Sequence, residues 1–287
     1  MENWIAAWQN IPYHITPYLF KIGSFQLRYY GLMYLVAFLV GYLLIIYRIK
    51  TEKLPYTAEM VQDLLVWVIL GVIVGGRIGY VLFYDFGYYL KHPLEIILPF
   101  QFTGGGMRFV GISGMSFHGG IIAVILFGII FCYKKGLDFW RVTDLFCSAA
   151  PLGYTFGRIG NFINGELYGR ATDVPWGMFF PLDAEHLLRH PSQLYEAFFE
   201  GIVLFAVLWT IRKKFSFTGA VFALYIVGYG IVRFFIEFFR EPDAHLGFVF
   251  GPLSMGQLLC LAMILTGAAI YLFRRRRAET RQVKNKG

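Results

Sequence analysis

Hydrophobic and polar positions alternate along this chain in blocks of about twenty residues. Apolar runs fall at roughly 27–47, 60–84, 116–133, 142–162, 191–211, 218–239 and 254–273, with short polar connections between them. A helix needs about 20 apolar residues to cross a bilayer, and each run is about that long. The pattern predicts an all-α polytopic membrane protein with seven transmembrane helices. Ahead of the first run, Trp4, Ile5, Trp8, Ile11, Tyr13, Tyr18 and Phe20 mix with Asn, Gln and Pro. That mixture reads as a segment lying at the membrane interface, without the basic start and apolar core of a cleavable signal peptide.

Composition agrees. Of 287 residues, 57% are hydrophobic and 15% charged, and the mean hydropathy of +0.56 excludes an ordinary soluble domain. The expected organisation is one transmembrane helical domain, 1–287, with a small extracytoplasmic head at about 163–190. Basic residues orient it. Sixteen Lys and Arg fall in one set of connections (Arg48–Lys53, Lys134–Arg141, Arg212–Lys214 and the tail from Arg274), against seven in the other. Cytoplasmic loops carry the excess, which predicts an outside N-terminus and a cytoplasmic C-terminus. The net charge of +8 is then a topology signal with some attraction to anionic lipid, and no nucleic-acid partner is expected. Cys132, Cys147 and Cys260 stand singly in apolar runs and the six His are scattered, so neither a metal nor another cofactor is expected.

Polar residues inside the runs carry the chemistry. The stretch Gly157–Gly169, GRIGNFINGELYG, gathers Arg158, Asn161, Asn164 and Glu166 at a helix end. In a membrane such residues face a protein interior or wet cavity. In the sixth run Tyr225, Tyr229, Arg233, Glu237 and Arg240 step by four, four, four and three, forming one stripe. An Arg233–Glu237 salt bridge would explain two of the five. Gln193, Glu196 and Glu200 make an acidic face on the fifth run, with Ser192 placed to cap it. Gly71, Gly75 and Gly79 form a close-packing stripe beside Arg77, which either snorkels or pairs with a carboxylate such as Asp85. His118 lies at the end of a glycine-rich loop, residues 104–120, and Tyr30 opens the first span, where an aromatic belt is the simplest reading.

The predicted topology puts these groups in the outer half of the membrane. Several arginines with a histidine suit a phospholipid headgroup. Two other readings stay open: a different phospholipid-processing transferase or phosphodiesterase, and an anion or lipid transporter. Transporters tend to show repeated halves, and none is visible.

Taken together, RYYGLMY, SFHGG, GRIGNFINGELYGR, RHPSQLYE and YGIVRFFIEFFREPD resemble the bacterial phosphatidylglycerol–prolipoprotein diacylglyceryl transferases over nearly the whole chain, up to Ser254–Gln257. The resemblance implies a seven-span enzyme of the bacterial inner membrane, with its active site toward the periplasm. Such an enzyme moves the diacylglyceryl group of phosphatidylglycerol onto the lipobox cysteine of a prolipoprotein and releases glycerol phosphate. The implied catalytic residues are His118, Arg158, Arg233, Glu166 and Glu237. Implied for substrate binding are Arg158, Asn161, Tyr30, Gly169, Tyr229 and Arg240. Arg158 and Arg233 would take the phosphate and His118 a proton, while Glu166 and Glu237 would hold the arginines or serve as base. Partners would be phosphatidylglycerol, lipobox peptides and membrane lipids. The approach to His118, Ile112-Ser113-Gly114-Met115, departs from the family pattern and has an extra glycine-rich copy upstream.

Overall fold

Long apolar helices make up most of the computed structural model, which describes residues 2–22, 25–98, 100–103, 106–109, 114–241, 248–250 and 253–284. Much of the extra glycine-rich copy and of the approach to His118 (Gly104, Gly105 and Val110–Ser113) lies outside the described residues. The helices are α1 (Glu2–Gln9), α2 (Tyr29–Thr51), α3 (Ala58–Phe83), α4 (Phe86–Lys91), α5 (Phe117–Lys135), α6 (Phe139–Cys147), α7 (Ala150–Asn164), α8 (Ser192–Glu196), α9 (Leu204–Ile211), α10 (Ala220–Ile236) and α11 (Met255–Lys284). A π-helical segment, Ala197–Val203, joins α8 to α9. Two short 3-10 helices, Ile11–His14 and Pro93–Ile96, and three two-stranded antiparallel hairpins complete the described elements.

Among the described residues, five helical stretches are long and apolar enough to cross a membrane: Tyr29–Thr51, Ala58–Phe83, His118–Lys135, Ser192–Ile211 and Met255–Arg281. The other two runs give shorter elements. Ala220–Ile236 has 17 residues. The run at 142–162 is divided between α6 and α7, where Pro151 in the first turn of α7 cannot continue a preceding helix. The break leaves carbonyls unpaired, and buried Arg48 of α2 takes them, donating Nη1 to Asp144 O (3.1 Å), Leu145 O (3.2 Å) and Ser148 Oγ (2.8 Å). The Asp144 carboxylate in turn accepts from Gly219 N (2.6 Å) and Phe222 N (2.8 Å), closing the first turn of α10.

The chain divides into two compact units, Glu52–Val142 and the remainder. In Glu52–Val142, α3 packs on α5 through the predicted glycines. A Cβ on Gly71 would stand 3.1 Å from Val124 Cα, and one on Gly75 or Gly79 would collide with Gly119. Ser116 caps α5, accepting from Gly119 N at 3.3 Å, and His118 is exposed in its first turn. Arg77, expected to snorkel or to pair with a carboxylate such as Asp85, turns to backbone carbonyls. It donates Nε to Ile96 O (2.9 Å) and Nη2 to Glu95 O, securing the loop beyond α4 by its carbonyls.

In the other unit α7 is the centre. One face meets α2, where a Cβ on Gly160 would lie 3.1 Å from Tyr30 Cδ2 and one on Gly153 3.4 Å from Ala37 O. Thr155, on another face, donates Oγ1 to Ala197 O (3.2 Å) and leaves no room for a side chain at Gly201. Residues after α7 fold back as a head around Phe162, Met178 and Phe180, against which Trp8 and Ile11 of the N-terminal segment pack.

Candidate active site

The predicted polar motif acquires its shape from a left-handed turn. Gly165 ends α7 at φ 70°, a conformation that costs glycine little. Its N–H bonds to Phe162 O, and the Glu166 N–H reaches back to Asn161 O at 3.1 Å, which satisfies the last carbonyls of the helix. The turn folds Glu166 over Asn161. Asn161 Nδ2 therefore donates to Glu166 Oε1 (2.8 Å), and Asn161 Oδ1 accepts from Arg158 Nη1 (3.3 Å). Asn164 adds a longer bond to the same carboxylate, 3.4 Å. The Tyr30 hydroxyl faces Asn161 and Glu166 from α2.

Arg158, Arg233 and Arg240 all converge on Glu196, whose side chain is 0% exposed. Arg158 Nε lies 2.6 Å from Glu196 Oε2, Arg233 Nη1 3.3 Å from the same oxygen, and Arg240 Nη1 2.8 Å from Oε1. Burying a carboxylate is costly unless it is paired and hydrogen-bonded, and three guanidinium groups meet that need. Arg233 also reaches Glu237 Oε2 (3.1 Å) and Glu200 Oε1 (3.7 Å). Tyr154 lies across the group: its hydroxyl accepts from Arg158 Nε at 2.6 Å and donates to Glu200. The Tyr229 ring stands edge-on to Tyr154, with centroids 5.9 Å apart. Glu237 is fixed by Ser254 Oγ (3.2 Å) and sits on Gly256, where any side chain would displace it.

The head closes onto this cluster through backbone pairing. Gly169 pairs with Arg240, and its N–H donates to His190 O at 2.8 Å. A Cβ at Gly169 would strike Phe239 O and stand 2.9 Å from His190 Cβ, so close chain packing accounts for this glycine. Arg170 Nε donates to Arg240 O (2.6 Å). Further out, Arg189 donates to both oxygens of Asp183 (2.8 and 3.0 Å) and to Glu241 (3.1 Å). Its guanidinium holds the Asp183 carboxyl below the usual carboxylate range. Burial pushes the His190 imidazole down, toward the neutral form.

Tyr30, Arg158, Asn161, Glu166, Tyr229, Arg233, Glu237 and Arg240 thus meet in one region with Gly169 at its edge. His118 belongs to the other unit. Two expectations change. Glu166 holds asparagines instead of arginines, because the turn at Gly165 points it back along α7. Ser192 does not cap its helix: α8 begins at that residue, and Oγ donates to Leu167 O at 3.0 Å. Three participants were not among the expected site residues: Glu196, Glu200 and Tyr154. The depth of Glu200 on an apolar helix was the available signal for the first two. Tyr154 stands one turn before Arg158, so both point the same way.

The family profile described as prolipoprotein diacylglyceryl transferase matches residues 17–273. The chain belongs to this family. It is 54% identical over 283 residues to a phosphatidylglycerol–prolipoprotein diacylglyceryl transferase of Chlorobaculum tepidum, covering 99% of this chain and 98% of that protein. It is 48% identical to one of Bordetella avium (91% and 96% covered) and 45% identical to one of Geobacter sulfurreducens (92% and 97%). The family members so named are transferases, and the apolar helices make this chain a multi-pass membrane enzyme of that kind.

Proposed function

We propose that the chain transfers the diacylglyceryl group of phosphatidylglycerol to the thiol of a prolipoprotein lipobox cysteine, the first step of lipoprotein maturation. The observation that carries the reading is the buried convergence of Arg158, Arg233 and Arg240 in a family member. In the reaction the sulfur forms a bond to the glycerol carbon that bears the phosphate. The C–O bond to that phosphate breaks, and glycerol phosphate departs with the bonding pair. Charge gathers on the phosphate as it leaves, and preplaced donors there stabilise the transition state. A guanidinium offers five N–H donors, so arginines oriented by Glu196 keep others for a phosphate; Arg233 Nη1 is buried without a hydrogen-bond partner. Asn161 and Tyr30 position the headgroup. A free thiol has a pKa of about 8.5 and is largely protonated near neutrality, so its proton needs an acceptor. We assign that role to His118, whose ring is exposed at the start of α5.

The proposed setting is the bacterial inner membrane, with the site facing the periplasm and the tail from Arg274 in the cytoplasm, as the basic residues favour. The test is to incubate purified protein with phosphatidylglycerol and a lipobox peptide. Thioether-linked diacylglyceryl peptide and glycerol phosphate should appear in equal amounts. Unchanged peptide, or release of glycerol phosphate without it, would exclude this reaction.

A further inference from the structure

Charge is balanced in the buried cluster if every group is ionised. Among the described residues of this unit, Arg158, Arg233 and Arg240 face Glu196, Glu200 and Glu237, three charges against three. Half-buried Arg170 and Glu166 add one of each sign nearby. A neutral cluster is a poor receptor for a phosphodiester anion, which would bring an uncompensated charge into a low-dielectric site. The three carboxylates are not equivalent. Glu196 receives three arginines; Glu237 has one hydrogen bond, from Ser254, and an Oε2 with none, but Arg233 stands 3.1 Å and Arg240 3.7 Å from that oxygen. Glu200 is as deeply buried as Glu196, yet its one hydrogen bond comes from the neutral Tyr154 hydroxyl. Its Oε1 has no hydrogen-bond partner, and the nearest cation stands 3.7 Å away.

We propose that Glu200 is a positioning residue that works as a neutral carboxylic acid. It leaves the cluster with one net positive charge, which matches the single negative charge of a phosphodiester lipid headgroup, and it holds Tyr154 against Arg158. The inference rests on the phosphatidylglycerol reading above. The groups facing Glu200 are Tyr154 and Arg158 from α7, Glu196 from its own helix, Tyr225, Tyr229 and Arg233 from α10, and Cys260 from α11. Deprotonating Glu200 as pH rises returns the cluster to neutrality and weakens its hold on the phosphate.

Infrared spectroscopy of the purified protein tests the charge state directly, without any substrate. The wild type should show a protonated carboxyl band that is lost in Glu200→Gln, and retention of that band in the variant would overturn the assignment. Kinetics supply the second measurement. Glu200→Ala keeps the charge but removes the partner that holds Tyr154 against Arg158, and should raise KM for phosphatidylglycerol on the order of tenfold, the size of one lost hydrogen bond, and Glu200→Gln should restore it. KM should rise at alkaline pH in the wild type and stay level in Glu200→Gln. A Gln variant as impaired as the Ala variant would mean that Glu200 acts as a carboxylate counterion. If the wild type forms no thioether product at all, the transferase reading fails, and the infrared result still decides the charge of Glu200.

Discussion

Glu196 Oε2 lies 2.6 Å from Arg158 Nε while its Oε1 lies 2.8 Å from Arg240 Nη1, so one buried carboxylate ties the end of α7 to the end of α10. Removing one partner of a buried ionic group costs about 3–5 kcal/mol, because the others stay behind unpaired. Glu196→Gln leaves three guanidinium groups without that anion. It should lower the thermal unfolding temperature clearly in detergent and abolish measurable transfer. Stability and activity close to wild type would show that the arginines organise themselves.

Gly169 makes a prediction about packing. Alanine there would drive Cβ into Phe239 O and His190 Cβ. Overpacking typically costs about 1–3 kcal/mol, and here it would also displace Arg240, which pairs with Gly169. Gly169→Ala should lose activity and gain protease sensitivity within the head, measured by limited proteolysis. An active, equally resistant variant would refute the packing account.

The head should respond to acid. The folded pKa of Asp183 is depressed by Arg189, so its contribution is full above the unfolded value of about 3.9 and is lost as pH falls through the folded one. As pH falls below about 3.9 the head should loosen, seen as a change in tryptophan fluorescence from Trp176. Asp183→Asn should flatten that response and leave a weaker head at neutral pH. An unaltered acid response in the variant would assign the effect elsewhere.

Much of this was legible in the chain, for a physical reason. Intramembrane charge is so costly that Arg158, Arg233 and Glu237 stand out against their neighbours, and helical spacing places Tyr229 and Arg240 with them. Contacts between Gly75 or Gly79 and Gly119 follow from small-residue spacing in the same way. Tertiary pairing was not legible. Spacing puts Glu196 and Glu200 on one face, but only packing of α7 and α10 against α8 and the π segment makes Glu196 the common partner. The direction of Glu166 depends on the left-handed turn at Gly165, and the groups freed at the 148–149 break are met by Arg48, which arrives from a helix a hundred residues away in sequence.

Metal independence is a further expectation. Among the described residues no cluster of His, Cys, Asp and Glu is arranged to hold an ion. Transfer should persist after dialysis against a strong chelator. Loss that a particular divalent metal restores would require a ligand set and a different role for His118.

The most direct test of the arginine site is single-turnover transfer by Arg158→Lys and Arg233→Lys with phosphatidylglycerol and a lipobox peptide. Lysine keeps the charge but not the planar fork of donors. Losing one oriented donor to the transition state should slow the step by about a hundredfold to a thousandfold, with both proteins folded and inserted. Rates within a few-fold of wild type would show that point charges suffice and would contradict a guanidinium grip on the phosphate.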